Sequence, residues 1–173
     1  KQKTAYEITY GDWSSDVCSS DLGHTIHVTV PAGTTPPTLE RAGKTYSLVE
    51  FHFHTPSEHL VNGNTFGGEM HLVHKTSAGE IAVLAVFIDS SASDDPDLAT
   101  LFAHAPSVEH RVNCSGYDFD LTDLKIVAAS GFYTYAPGSL TTPPCTEGVQ
   151  WIIAKGALGA STANIGAFAG KVF

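Results

Sequence analysis

Three histidines at strand spacing, His52, His54 and His71, are the side chains in this sequence best placed to hold a metal ion. In Glu50-Phe51-His52-Phe53-His54, successive side chains of an extended strand point to opposite faces, so both imidazoles face one side and both phenylalanines the other. In Glu69-Met70-His71-Leu72 the same alternation sets Glu69 and His71 against Met70 and Leu72. Between the two runs lie Asn62-Gly63-Asn64 and Gly67-Gly68, which is turn chemistry. Antiparallel pairing of the two strands would bring the third imidazole beside the first two. A lone histidine on a strand is ordinarily a hydrogen-bonded structural residue. Three converging neutral imidazoles with one open position are instead a catalytic zinc arrangement; a structural site would want a fourth protein ligand and normally cysteines. Glu50 and Glu69 each stand two positions before a candidate ligand, on its face, where a carboxylate fixes the imidazole tautomer through the other ring nitrogen.

The runs FHFHTPSEH, EMHLVH and GSLTTPPCTEGVQW (Gly138 to Trp151) occur in an order and at a spacing that resemble the α-class carbonic anhydrases in their bacterial form, and the resemblance extends over nearly all of the chain. It implies a mainly β fold: a large twisted, mostly antiparallel central sheet with a few short peripheral helices and zinc (Zn2+) at the floor of a conical cleft. It implies one carbonic-anhydrase-like domain over residues 1–173, incomplete at both termini. The implied activity is reversible hydration of carbon dioxide to bicarbonate and a proton, by attack of a zinc-held hydroxide. Carbonic anhydrase is itself the reference case for such ionisation, at a pKa of about 7.

Residue by residue, the resemblance makes His52, His54 and His71 the zinc ligands, with Glu50 and Glu69 supporting them. Thr141 matches the family's gatekeeping threonine and Glu58 its buried carboxylate partner; on their own these would read as turn chemistry and a surface charge. Thr142 matches a residue that contacts bicarbonate or inhibitors, so sulfonamide- and anion-type inhibitors are expected. Val73, Val83, Leu140, Val149 and Trp151 match the apolar patch that receives carbon dioxide, though singly each would pass for core. His24 matches the histidine proton shuttle, and His27, where relatives carry glutamine or asparagine, is expected to line the cavity. His59 and His74 are expected to be structural, His104 and His110 to lie on the surface. Glu50 stands where relatives carry glutamine, and should raise the pKa of activity relative to a Glu50→Gln variant. Ala136 is one residue more than the family pattern has before the Thr141 loop. The competing reading is a catalytically impaired or non-catalytic zinc-binding relative, but such members lack zinc histidines that this chain retains.

One domain of 173 residues is large enough for a substantial core, and no apolar run approaches the roughly 20 residues of a membrane span. A net charge of −9 argues against nucleic acid or an anionic membrane as partner. Periplasmic or secreted localisation follows from the resemblance alone. It also implies a disulfide from the cysteine of PPCTEG to one near the N-terminus, leaving Cys145 either without a partner or bridged to Cys114. Strands are expected at Thr4–Tyr10, Gly23–Val30, Thr45–His54, Gly68–Lys75, Glu80–Asp89 (buried on both faces), Phe132–Tyr135 and Val149–Ala154, with a helix over Pro96–Ala103. The serine- and aspartate-rich run Ser14–Leu22 fits no element. It is expected to be a surface loop beside the site, or foreign to the protein.

Overall fold

The computed structural model describes residues 7–9, 18–21, 25–30, 33–90, 93–104, 111–112, 121 and 131–170. Its strands in chain order are β1 (Glu7–Thr9), β2 (Cys18–Asp21), β3 (Thr25–Thr29), β4 (Thr38–Arg41), β5 (Lys44–His54), β6 (Gly68–Lys75), β7 (Ile81–Asp89), β8 (Arg111–Val112), β9 (Phe132–Ser139) and β10 (Glu147–Gly159). The helices are α1 (Pro96–His104) and α2 (Thr162–Ala169). Among the described residues the ten strands form one sheet in the order β8-β2-β3-β5-β6-β7-β10-β9, with β4 bridging β1 to β5. Every pairing is antiparallel except that of β10 with β7. The mostly antiparallel, mainly β expectation therefore holds.

The centre of the sheet is apolar on both faces. β7 is buried at every position from Ile81 to Ile88, as its unbroken apolar run requires. One face carries a large cluster that includes Phe51, Phe53, Leu72, Leu84, Leu101 and Phe168; the other carries Val73, Val83, Ala85, Phe87, Val149, Trp151 and Ile153. Helices α1 and α2 cover the first face. Phe53 packs edge-on against Phe102 and Phe168, which stack on each other at 4.8 Å. Asp95 starts α1 by accepting hydrogen bonds from the backbone N–H groups of Asp97 and Leu98. Ser161 caps α2 in the same way, through Asn164 N–H.

A bulge in β5 decides which face the histidines take. Leu48 pairs with His74 and Glu50 with Val73, leaving Val49 as an extra, exposed residue between them. Without it, strict alternation from Tyr46 and Leu48 would put Glu50 and His52 on the core face. With it, Tyr46, Leu48, Phe51 and Phe53 all enter the core, and Glu50, His52 and His54 are released to the opposite face.

Two expectations change. Part of the Ser14–Leu22 run is not a loop: Cys18–Asp21 is a strand, paired antiparallel with β3 and β8. Backbone pairing to an open sheet edge does not need an apolar sequence, which is why the pattern gave no sign of it. As expected, Gly68 opens β6, buried beside His54, and Asn62 and Gly63, at positive φ, make the turn within the Val61–Asn64 bridge. Finally, β9 and β10 run well beyond the predicted spans. Tyr135 faces Trp151 and Gly138 faces Val149, so Ala136 and Pro137 stand opposite Gln150 alone; the extra residue is absorbed as a bulge.

Candidate metal centre

The antiparallel register of β5 with β6 places His52 directly opposite His71. His54 follows two residues on, and the three ring centroids lie 5.0, 5.2 and 4.6 Å apart. One nitrogen from each ring falls within 4.8 Å of the other two.

Hydrogen bonding identifies those nitrogens. A carboxylate only accepts, so an imidazole nitrogen bonded to one must carry the hydrogen. His52 donates Nδ1–H to Glu50 Oε2 at 3.0 Å, leaving Nε2 as its lone-pair nitrogen. His71 donates Nε2–H to Glu69 Oε1 at 2.9 Å, leaving Nδ1. His54 Nε2 is buried and has no hydrogen-bond partner. The lone pairs of His52 Nε2 and His71 Nδ1 thus converge with the unpartnered His54 Nε2, an arrangement costly for buried groups unless a cation accepts them. Neutral nitrogen ligands at this spacing fit zinc. Burial, reinforced by the neighbouring His71 and His52, pushes the His54 imidazole down to about 3. Burial likewise lowers His71 against the opposing pull of Glu69. Two other groupings, His27–Glu50–His52 and His59–Glu69–His71, come as close together. In each the imidazoles are already hydrogen-bonded to the carboxylate they share, so neither asks for an ion.

The supporting carboxylates are sunk in the sheet. Burial works to raise the Glu50 carboxyl, but hydrogen bonds from His27 and His52 outweigh it and hold it at about 2. Glu69 is fully buried and accepts three N–H groups: His71 Nε2–H, His59 Nδ1–H at 2.5 Å and the His59 backbone N–H at 2.8 Å. Burial opposes its ionisation and these bonds overcome it, so its carboxyl lies far below the usual range. His59 Nε2 in turn accepts from the Tyr135 hydroxyl at 2.9 Å, anchoring the chain of bonds to β9.

Thr141 donates its hydroxyl to Glu58 Oε2 at 3.0 Å. Glu58 also stands 3.6 Å from His54 Nδ1 and 4.0 Å from His71 Nδ1. It is not the buried group expected: its side chain is 30% exposed, because it sits in the loop after β5 and not within the sheet. A cavity of about 40 Å3 is lined by Glu50, His52, His71, Val73, Val83, Leu140, Thr141, Thr142 and Trp151. Val149 does not reach that lining and is buried in the apolar cluster behind it. Trp151 is fixed by its indole N–H to Ser139 O at 3.1 Å and by Gly138, where any Cβ would meet Trp151 Cδ1 at 2.5 Å. His24, Cys114 and His110 lie outside the described residues, and Cys145 is an exposed free thiol. His74 is fully buried and donates Nδ1–H to Leu72 O. Two links had no signal in the sequence: His27 to Glu50, and His59 to Glu69, each made across strands or loops remote in the chain.

Three histidines on one face of a large, mostly antiparallel sheet, with Glu50 and Glu69 bonded to two of them, make a mainly β scaffold with a group of side chains that could hold a metal ion. The sequence profile of the family described as eukaryotic-type carbonic anhydrase matches residues 2–173, and the chain belongs to that family. A carbonic anhydrase of Neisseria gonorrhoeae is 40% identical over 151 residues, covering 87% of this chain and 57% of the relative. An α-carbonic anhydrase structure from Photobacterium profundum superposes with a TM-score of 0.86 at 33% identity, covering 99% of this chain and 76% of the other. The Thermovibrio ammonificans α-carbonic anhydrase in complex with the inhibitor sulfanilamide superposes at 0.84 and 32% identity, covering 99% and 73%. The chain spans just over half the length of the bacterial curated relatives it matches.

Proposed function

We propose that the chain carries the catalytic centre of a zinc-dependent enzyme that reversibly hydrates carbon dioxide to bicarbonate and a proton. The observation that carries this reading is the convergence of three unpaired imidazole nitrogens beside the Thr141–Glu58 pair and an apolar wall. His52 Nε2, His54 Nε2 and His71 Nδ1 would hold the metal. Zinc, when bound, supplies Lewis-acid activation that brings a water's pKa to about 7, for which carbonic anhydrase is itself the reference case.

The remaining work falls to the chain's own side chains. The Thr141 hydrogen is committed to Glu58, so toward the cavity the hydroxyl oxygen only accepts. A nucleophilic water there must point its hydrogen at Thr141 and a lone pair elsewhere, which selects one attacking orientation. Carbon dioxide is apolar and makes no demand for hydrogen bonds; Val73, Val83, Leu140 and Trp151 give it a surface from which water gains nothing. Thr142 stands at the same cavity to meet the product anion. His24 is proposed as the group that carries the released proton to buffer, a task suited to an imidazole titrating near neutrality. The sulfanilamide complex of the Thermovibrio relative supports sulfonamides as inhibitors of this chain.

Stopped-flow measurement of carbon dioxide hydration, on zinc-loaded protein and on a chelator-treated control, tests the reading. Zinc-dependent turnover is expected. A folded, zinc-bearing sample without turnover would overturn it in favour of a binding module.

A further inference from the structure

His27 has no part in the mechanism above, yet it reaches the metal centre through one atom. Glu50 Oε2 lies 3.0 Å from His52 Nδ1 and 3.0 Å from His27 Nε2. His27 and His52 are paired in register across β3 and β5, and their rings stack with 22° between planes. The carboxylate has no hydrogen to give, so both imidazoles donate to the same oxygen. Glu50 is only 15% exposed on the cavity side of its strand, and His27 only 27%. With His52 as its sole partner, the glutamate could swing toward the cavity and take its hydrogen bond from water. A second donor from the neighbouring strand closes that path.

We propose that His27 is a positioning residue for the metal centre: its Nε2–H clamps Glu50 against His52 Nδ1–H, which presents His52 Nε2 to the ion. The inference rests on the zinc reading given above. It requires that His27 act through Glu50 alone, so removing His27 must cost nothing once Glu50 has gone.

The test is zinc affinity by chelator competition on the full chain, for wild type, His27→Ala, His27→Gln, Glu50→Ala and the double variant His27→Ala/Glu50→Ala. Losses of outer hydrogen-bond partners typically cost 10–100-fold in metal affinity, so His27→Ala should weaken zinc about 10-fold and Glu50→Ala at least as much. His27→Gln, which keeps an N–H donor, should recover most of the loss, and the double variant should match Glu50→Ala to within about twofold. Wild-type affinity in His27→Ala overturns the proposal. So does an equal further loss in the Glu50→Ala background, which would mark His27 as merely structural. In case His27→Ala fails to fold, ring-nitrogen NMR of zinc-free wild type provides a separate check: His52 must be the Nδ1–H tautomer, and the Nε2–H tautomer overturns the proposal. Failure of the wild type to bind zinc at all overturns the zinc reading and this inference together; zinc binding without coupling overturns this inference alone.

Discussion

Thr141 and Glu58 are 83 residues apart in the chain and share one hydrogen bond, Oγ1 to Oε2 at 3.0 Å. The bond turns a hydroxyl that could donate or accept into one that only accepts on its cavity side. Thr141→Ala removes that direction without touching a metal ligand. It should lower kcat/KM for carbon dioxide roughly 100-fold, the usual cost of losing reactive orientation, while zinc content stays at the wild-type level. Thr141→Ser, which keeps the hydroxyl, should retain most of the activity.

His54 Nε2 is a buried nitrogen with no hydrogen-bond partner, in the midst of the three-histidine group. His54→Ala leaves two imidazoles, and zinc affinity by chelator competition should fall by more than about 100-fold, beyond the range set by outer partners. Turnover should fall to the chelator-treated background.

Glu69 receives three N–H groups and has no solvent exposure. In Glu69→Gln one acceptor oxygen becomes an NH2 group that must face a donor. Zinc affinity should fall 10–100-fold. Urea unfolding of the zinc-free protein should show a loss of about 1–3 kcal/mol, the cost of an unsatisfied buried polar group.

His74 lies on β6 beyond the metal centre, fully buried, and its imidazole is pushed down to about 4 by burial against the pull of its bond to Leu72 O. In the unfolded chain the same ring titrates near 6.5. Between these values the unfolded state binds the extra proton, so the contribution is complete above about pH 6.5 and lost as pH falls toward 4. The loss amounts to roughly 3 kcal/mol. Urea unfolding at pH 7, 5.5 and 4.5 should show a steeper decline for wild type than for His74→Asn, and parallel curves would remove His74 as the cause.

Gly138 lies against Trp151, the apolar wall of the cavity. Gly138→Ala should destabilise the protein by about 1–3 kcal/mol, as overpacking does. It should also raise KM more than it lowers kcat, since the displaced indole is part of the apolar wall proposed to receive carbon dioxide. Unfolding curves and steady-state kinetics read the two effects separately.

The parts of the fold legible in the sequence were those written in local periodicity. The alternation in Phe51–His54 and in Glu69–Leu72, the apolar run of β7 and the acidic start of α1 each found its element. Helix α2 was not anticipated, because Thr162–Ala169 is short and its apolar residues are spread around it, with Phe168 buried and Ile165 only partly so. The strand at Cys18–Asp21 was missed for a related reason: it is held by backbone pairing on both sides, and its side chains carry no periodic signal.

By itself, the sequence determined the chemistry available: imidazoles in an alternating pair, a third with an acid two residues before it, and the Thr141–Thr142 loop. These follow from residue identity and from the two-residue period of an extended chain, and both are local. The tertiary structure decided the rest. The Val49 bulge set the face that His52 and His54 occupy, and the register of β5 with β6 set His71 opposite them. Glu50 meets His52 Nδ1 and Glu69 meets His71 Nε2 from two residues away, but it is the folded sheet that brings His27 and His59 from other segments onto those two glutamates and leaves His54 Nε2 without a partner. A tautomer depends on what stands at the other nitrogen. In a folded chain that neighbour is set by strand register, backbone bulges and burial, which are properties of the whole sheet.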